Sequence, residues 1–444
     1  MQIVKGDRRV IRAWTMYDWA NSSYSLTITS AVFPMFYVAI TETFGEANFV
    51  ERFGVPSASL YSYALSAGFL LVALIVPLLS GIADHRGNKL NYLKLFCYVG
   101  AASCAGLFFF SVEHVWIGMT CIVLACAGFS GSLVFYDAYL PEIAEKKDHD
   151  RISARGYTMG YIGSVILLVV NLLMVMDPDE DGVSLLGIRT DGGFAARLTF
   201  LSVALWWAGW AQWPFRVLPH RTGSGPERKH VIWSGYQELR KVWRQLLGMR
   251  RLRRYLMAFF VFNMGIQTVM YLAVNFAKQE ITQPDGSPIA DDSLIISVLI
   301  IQLVAALGAT VFVQVSKRFG NVRALLIGCM VWVGVCIMAW SIHLTHEFYI
   351  LAAIVGSVMG GCQSLSRSTY AKFLPPTTDT SSFFSFYDVS YYLGTVLGTF
   401  AYGLVFQLTG DLRDTIIAIG SFFVLGVVLL LRVPKEEEAI VAAA

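Results

Sequence analysis

The chain has 444 residues, of which 56% are hydrophobic and only 15% are charged. This composition excludes a soluble globular protein, in which about 25% of residues are charged. The 34 Lys and Arg residues outnumber the 31 Asp and Glu residues by three. They are scattered through loops without adjacent stacking aromatic residues, which predicts no nucleic-acid partner. We therefore expect an all-α, multi-pass membrane protein.

Apolar runs of about 20 residues, the length that crosses about 30 Å of hydrocarbon, recur along the whole sequence. They predict twelve spanning helices, which cover residues 17–40, 60–82, 90–110, 115–136, 156–176, 198–217, 255–277, 294–315, 324–342, 348–370, 383–408 and 415–431. With both termini cytoplasmic, 29 of the 34 Lys and Arg residues lie in or near cytoplasmic loops, as the positive-inside rule requires. The predicted location is the cell inner (plasma) membrane.

The first span begins with a polar stripe. Asp18, Ser22, Ser25 and Thr29 are spaced at i, i+4, i+7 and i+11, which places them on one helical face. For Asp18, two explanations stay open: an acid favoured by the helix N-terminus, or a substrate or proton site. For Asn21, Ser22 and Ser25, hydrogen bonding between helices is the alternative to solute binding. Either way, the stripe predicts a face turned away from lipid.

A loop that combines glycines with charged residues, Ser80–Lys89, forms a tight hairpin between the second and third spans. A weaker copy, Lys317–Arg323, lies between the eighth and ninth spans. Leu-Pro pairs and aromatic-x-Gly triplets follow both copies in the same order, at an offset of about 233 residues. The repetition predicts two pseudo-symmetric six-helix bundles, at 1–217 and 251–444, joined by a cytoplasmic linker at 218–250.

The linker itself contains a helical pattern. Trp233, Tyr236 and Trp243 fall on one face, and basic residues such as Arg240 and Lys241 fall elsewhere. This pattern is typical of an amphipathic helix that lies on a membrane surface. The segment is too short for a folded regulatory domain.

Charged residues also gather at the predicted cytoplasmic ends of the first bundle. They predict a charge cluster, in particular among Asp84, Arg86, Asp137 and Arg155, that acts as a conformational latch rather than a catalytic site. The sequence around them offers no nucleophile and no set of metal ligands. The residues assigned to the latch are Asp84, Arg86, Gly87, Lys89, Asp137 and Arg155.

Polar residues interrupt the spans of the second bundle as well. Asn263 and Gln267 are one turn apart in the seventh span, and Gln363 and Arg367 are one turn apart in the tenth. An arginine inside a membrane costs at least a few kcal/mol if it meets lipid, so a counter-charge or an aqueous cleft is expected. Asp388 in the eleventh span is one candidate partner. For Arg367 we favour a functional role over a structural one.

The hairpin loop resembles the major facilitator signature between the second and third helices. Asp84, Gly87 and Lys89 match that pattern, whereas Ser80 and Leu90 replace a glycine and a basic residue. More specific similarity is carried by Tyr17–Tyr24, Val32–Pro34, Gln363–Tyr370 and the Leu-Pro pairs.

Over nearly its whole length, the chain resembles the bacterial unknown major facilitator family, which is related to vacuolar amino-acid effluxers linked to fungal autophagy. This resemblance implies twelve helices in two six-helix halves and transport by alternating access. It also implies a central cavity, lined mainly by the first, fourth, seventh and tenth helices.

In the fold that this resemblance implies, the polar residues are expected to line the central cavity. We expect a secondary transporter for a small polar or zwitterionic solute, with amino acids as the class that the resemblance suggests, acting as a monomer without a cofactor. Arg367 would meet a solute carboxylate, Asp18 or Asp388 would carry a coupling proton, and the Asp84 loop would latch the outward-facing state. The expected substrate-binding residues are Asn21, Ser22, Ser25, Asn263, Gln267, Gln363 and Arg367.

A lipid scramblase or an intramembrane enzyme is the alternative function. An enzyme needs an activated nucleophile or a metal site. All seven histidines lie in or beside loops, and the sequence contains no His-x-x-x-His pair and no nucleophile elbow, so we expect no enzymatic activity. Scrambling stays open, because it requires none of these residues.

Overall fold

The computed structural model describes residues 4–176, 182–220 and 231–435. Within these residues the chain is helical, and its only β-structure consists of isolated bridges. The described residues form twelve long helices: α1 (Arg8–Phe44), α2 (Ser57–Arg86), α3 (Lys89–Gly106), α4 (Val115–Asp137), α5 (His149–Val175), α6 (Phe194–Val217), α7 (Arg250–Glu280), α8 (Asp291–Phe319), α9 (Asn321–Ser341), α10 (Thr345–Phe373), α11 (Thr380–Thr409) and α12 (Leu412–Leu431). The all-α prediction is confirmed.

Eleven of these helices are long and apolar enough to cross a membrane. The remaining one, α6, has 24 residues and packs against α1, α3 and α5. Most helices extend beyond the predicted apolar runs, because their polar ends continue as helix. The first helix, for example, begins at Arg8, where the Asp7 carboxylate accepts a hydrogen bond from the Arg9 amide at 2.7 Å and so satisfies a free N–H group.

The two halves of the chain repeat the same helix contacts. In the first half α1 packs on α5 and α6, and in the second half α7 packs on α11 and α12. The halves meet where α2 packs on α11 and where α5 packs on α8. In the six-helix repeat α2 corresponds to α8 and α5 corresponds to α11. A pseudo-two-fold axis between the halves therefore relates one of these contacts to the other. The unit boundaries at 1–217, 218–250 and 251–444 stay predictions.

A seam of small residues on α5 brings α1 unusually close. A Cβ atom added to Gly160 would come within 3.2 Å of the Asp18 carbonyl oxygen, and one added to Gly163 would come within 2.8 Å of the Trp19 ring. On α11, Gly398 faces the Met264 backbone of α7 in the same way. Small residues permit such close packing of backbones, and on α5 they hold the polar part of α1 at the centre of the bundle.

The middle of α1 is a wider, π-helical segment, Tyr24–Ala31. At its end the Val32 amide donates to the Thr27 carbonyl, five residues earlier. Pro34 follows directly; it has no N–H group, and its ring excludes the carbonyl four residues before it, which favours a local change of helical pitch. The four residues of the predicted stripe, Asp18, Ser22, Ser25 and Thr29, all line the small cavity, and the wider turn brings Ser30 there as well, beside Thr29.

The two ends of the bundle differ. At the closed end, which carries the connections 86–89, 137–149 and 373–380, the two halves touch. At the open end, near the connections 44–57 and 280–291, a cavity of about 840 Å³ extends between the halves. A smaller polar cavity of about 150 Å³ continues from its base and shares several wall residues with it.

A further helix in the predicted linker, Val231–Gly248, lies at the closed end and is called the linker helix below. It packs on α2, where Gly235 meets Gly81, and it exposes Trp233 and Trp243. Lys241 reaches across to Asp379, beside the start of α11, at 2.7 Å. Burial lowers the pKa of Lys241, but its hydrogen bonds to two carboxylates more than offset this, so the net pKa is raised. The predicted linker residues 221–230 lie outside the described residues.

Candidate central cavity and closed end

The base of the small cavity is built around one guanidinium group. Arg367 of α10 is only 1% exposed. Its Nη2 donates to the Asp18 carboxylate at 3.1 Å, its Nη1 to the Asp137 carboxylate at 3.0 Å, and its Nε to the Ser153 hydroxyl at 2.9 Å. These partners belong to α1, α4 and α5. A single side chain of the second half therefore binds three helices of the first half.

Aromatic rings enclose this ion-pair network. The Arg367 guanidinium lies 4.3 Å from the centre of the Tyr157 ring and 4.8 Å from that of Trp14. The Tyr136 hydroxyl donates to the Asp18 carboxylate at 2.7 Å, and Trp14 donates to the Tyr136 carbonyl at 2.9 Å. Because the rings exclude water, the attraction between the charges is strong, and loss of one partner is costly.

The network bears on the expectation that Arg367 meets a carboxylate of the solute. Including a bond to the Ser153 carbonyl at 3.0 Å, its four hydrogen bonds occupy four of the five N–H groups of an arginine. In this conformation the guanidinium is thus engaged by the protein's own carboxylates. The suggested pairing with Asp388 is wrong, because among the described residues the ion pairs of Arg367 are those with Asp18 and Asp137.

Most of the predicted site residues do meet at one cavity. Asn263 is the exception: it is buried behind the wall, where it donates to the Tyr391 carbonyl at 3.2 Å and accepts from Gln267 at 3.2 Å. Its position suits a residue that orients Gln267. Of the predicted residues, those that line the small cavity are Asp18, Asn21, Ser22, Ser25, Asp137, Gln267, Gln363, Arg367 and Asp388. Their roles in binding stay predictions.

Two side chains of this wall offer unused hydrogen-bonding atoms. Asn21 is 1% exposed and Asp388 is 4% exposed. Within the described part of the chain, Asn21 Nδ2 and Asp388 Oδ2 are buried and have no hydrogen-bond partner. Buried polar atoms normally have partners, so this amide donor and this carboxylate acceptor are left unsatisfied in the described structure.

At the closed end, Asp84 binds the beginning of α11. Its carboxylate accepts hydrogen bonds from the backbone amides of Ser382 at 2.6 Å and Ser381 at 3.2 Å. Free N–H groups and the positive end of the helix dipole favour a carboxylate at this place. Gly87, at φ 66°, ends α2 in the left-handed conformation that glycine adopts without strain, and the chain turns directly into α3.

A buried lysine makes a second contact beside it. The Lys89 ammonium lies 2.5 Å from the Glu142 carboxylate within the first half and 2.7 Å from the Thr380 hydroxyl of α11. Thr380 in turn donates to Glu142 at 2.9 Å. The three side chains form a closed triangle of hydrogen bonds between the halves.

A third contact is centred on Asp150, in the first turn of α5. Its carboxylate accepts from Lys372 at 2.6 Å, Asn321 at 2.7 Å, Ser368 at 2.8 Å and Ser316 at 3.0 Å. The four donors lie in α8, α9 and α10. The sequence prediction missed this site; the available signal was the Gly-Asn pair of the repeated loop, which supplies Asn321.

The predicted latch cluster is wrong as one group. Asp84 and Asp137 belong to separate networks, at the start of α11 and at the cavity base. Arg86 and Arg155 are exposed, and the ion pairs within the described residues do not include them. Exposed, solvated arginines lose little by staying unpaired, whereas the buried carboxylates require partners. A latch role for these residues stays a prediction.

The chain is similar to one protein family along nearly its full length. A family model described as "Vacuole effluxer Atg22 like" matches residues 6–443. An uncharacterized MFS-type transporter, YxiO of Bacillus subtilis (strain 168), is 30% identical over 424 residues, which cover 96% of this chain and 94% of the relative. Autophagy-related protein 22-1 of Penicillium rubens is 24% identical over 481 residues, which cover 87% and 77%.

Solved structures of transporters share the fold. FucP, a major facilitator superfamily transporter in the outward conformation, superposes with a TM-score of 0.70 at 13% identity, covering 97% of this chain and 99% of FucP. The human organic anion transporter MFSD10 gives a TM-score of 0.69 at 14% identity, covering 96% and 100%. At these identities the likeness shows the fold alone.

Proposed function

The chain belongs to the vacuole effluxer Atg22-like family of MFS-type transporters, and we propose that it moves a small polar or zwitterionic solute by secondary active transport. Amino acids are the first solute class to test. One observation carries the proposal: a central polar cavity is open to one end of the bundle and is sealed from the other by contacts between the halves. Alternating access requires a site of this kind between two repeats.

We also propose that the closed end faces the cytoplasm. Most Lys and Arg residues lie in or near the connections of that end, and the positive-inside rule favours a cytoplasmic position for such loops. In this orientation the conformation is outward-facing, and both termini are cytoplasmic in the inner (plasma) membrane. Transport would proceed within a single copy of the chain.

To open toward the cytoplasm, the halves must separate at contacts that include four polar networks among the described residues. The Arg367 network, the Asp84 contact with α11, the Lys89 triangle and the Asp150 cluster each bind one half to the other. All four consist of polar groups that water or solute can solvate once the interface opens. This chemistry suits a reversible gate better than a permanent apolar interface would.

The coupling ion is proposed to be a proton carried by Asp388. The Asp18 carboxylate is already compensated by Arg367 and Tyr136, so it is the less suitable of the two predicted acids. Asp388 is buried beside the cavity, and its Oδ2 has no partner in the described structure. An unpaired buried carboxylate is costly, and a proton removes that cost.

Uptake of amino acids by proteoliposomes, with and without a pH gradient, tests the proposal. We expect flux into vesicles preloaded with mixed amino acids, increased by the gradient, and its loss in Arg367→Ala. The exposed Arg323→Ala variant of α9 is the control and should retain flux. Absence of flux in every condition, or full flux in Arg367→Ala, would contradict the proposal. A fluorescent-lipid flip assay on the same vesicles measures the scramblase alternative.

A further inference from the structure

The wall of the small cavity has an excess of negative charge. It carries three carboxylates, Asp18, Asp137 and Asp388, and one guanidinium, Arg367. Arg367 is bound to the first two of these carboxylates. The third, Asp388, has a buried oxygen atom that lacks a hydrogen-bond partner in the described residues. With all three carboxylates ionised, the wall carries three negative charges and one positive charge, so one uncompensated negative charge is shared by Asp18 and Asp137 and the other lies at Asp388.

The larger cavity has the same sign of charge. Its charged wall residues are Glu42, Lys278 and Asp291. Lys278 lies 2.9 Å from Asp291 and is compensated by it. Glu42 is exposed, and no ion pair in the described part of the chain includes it. The uncompensated charge of this cleft is therefore the Glu42 carboxylate. A cleft with a net charge concentrates solutes of the opposite sign, so the route to Asp388 favours cations.

Aromatic rings line the same cavity as the Asp388 carboxylate. Tyr391 and Tyr392 follow Asp388 by three and four positions on α11, which places them on its helical face. The Tyr392 ring stacks on Phe69 of α2 at 5.5 Å, and Phe69 lies 6.2 Å from Tyr271 of α7. All four rings line the same cavity as Asp388. We call these four residues the aromatic box.

A carboxylate beside several aromatic faces is the chemistry that binds an ammonium group. The carboxylate supplies the counter-charge, and the negative faces of the rings attract a cation. Among the described residues of this cavity, a carboxylate on a solute finds no unpaired cation, because Arg367 already donates four hydrogen bonds and is bound to Asp18 and Asp137.

We propose that the transported solute carries an ammonium group that binds at Asp388 inside the aromatic box, and that net cations bind more tightly than zwitterions or anions. This inference rests on the proposed transport function and adds to it the charge class of the solute. When the ammonium group leaves, a proton can take its place at Asp388.

Matched sets of small molecules test the charge preference. One set is 3-methylbutylamine, leucine and 4-methylpentanoate; the other is 2-phenylethylamine, phenylalanine and 3-phenylpropanoate. Within each set the apolar group is the same and the charged groups differ. Binding to the purified full chain at pH 7 is measured from the rise of the melting temperature with ligand concentration. We expect the amine of at least one set to bind about tenfold more tightly than its zwitterion, a difference of about 1.4 kcal/mol, and no binding of its carboxylate.

Two variants locate the site. Asp388→Asn removes the charge at nearly constant volume and should weaken amine binding about tenfold. Its matched control, Asp292→Asn, removes an exposed carboxylate of α8 that does not line either cavity and should leave binding unchanged. Tyr391→Leu should weaken amine binding several-fold, whereas Tyr391→Phe, which keeps the ring, should not. If Asp388→Asn does not fold, the comparison of Tyr391→Leu with Tyr391→Phe still decides the test.

Three results would overturn the inference: no binding of either amine, carboxylates that bind as tightly as the amines, or amine binding unaffected by both Asp388→Asn and Tyr391→Leu. Solute flux in proteoliposomes distinguishes failure of this inference from failure of the proposed transport function. Flux of zwitterions or anions without any preference for amines would refute the inference and leave the proposed transport function standing. Amine binding without any solute flux would refute the proposed transport function and leave the inference about Asp388 intact.

Discussion

Arg367 of α10 donates a hydrogen bond to the Asp18 carboxylate of α1 at 3.1 Å, although 349 positions separate the two residues in the chain. This bond joins the two halves of the protein directly beneath the polar cavity. Because both charges are buried among aromatic rings, neither can be released without a replacement partner. We therefore expect the gate to open only when water, solute or protons reach this network.

Replacement of Arg367 by alanine should destabilise the folded protein strongly. Arg367→Ala leaves Asp18 and Asp137 buried without a cation, and breaking a buried ion pair in this way costs about 3–5 kcal/mol. Unfolding of the purified protein in detergent measures the loss. The double variant Arg367→Ala with Asp137→Asn should recover part of it. Equal stability of Arg367→Ala and the unchanged protein would show that the network contributes nothing.

Loss of Asp84 should open the closed end more often. Asp84→Ala removes the carboxylate that binds the first turn of α11, an interaction of about 0.5–2 kcal/mol. The reporter is Ala154→Cys, a position that is 2% exposed and packs against Ala309 between the halves. We expect several-fold faster labelling of this thiol by an aqueous maleimide. The exposed Arg323→Ala variant of α9 is the control; the same acceleration there would contradict the assignment.

The Asp150 cluster should show energetic coupling across the interface. The single variants Asp150→Asn and Lys372→Ala each break the 2.6 Å ion pair, and the double variant should be less destabilised than the sum of the two. For residues in one network the difference is about 0.5–3 kcal/mol. Thermal or chemical unfolding of the four proteins measures it. Strict additivity would show that the contact does not bind the halves together.

The close approach of α1 and α5 predicts opposite effects for two glycine substitutions. A Cβ atom in Gly160→Ala would press on the Asp18 carbonyl and the Ser22 side chain, so we expect a loss of about 1–3 kcal/mol and weaker solute binding. In Gly334→Ala no atom lies within 4 Å of the new Cβ apart from its chain neighbours and the adjacent backbone of its own helix, and a gain of up to about 1 kcal/mol follows from helix propensity. Melting temperatures of the two variants check the contrast.

The secondary structure was predictable from the sequence because lipid imposes a simple rule. A backbone that crosses hydrocarbon must satisfy its own hydrogen bonds, so long apolar runs form helices. Polar residues cannot face lipid, so Asn21, Ser22, Gln267 and Gln363 were predictable as cavity or interface residues. The π-helical turn at Ser25 was not, because it depends on Pro34 and on the packing around it rather than on periodicity.

The sequence by itself determined the helical class, the duplicated plan and the set of polar residues that turn inward. Only the tertiary structure decided which charges meet: Arg367 with Asp18 and Asp137, Lys372 with Asp150, and Asp388 with none of the described cations. The physical reason is the difference in sequence separation between the interacting groups. Helix formation and burial follow from neighbours within a few turns, whereas a buried ion pair depends on angstrom-scale distances between helices that are hundreds of residues apart.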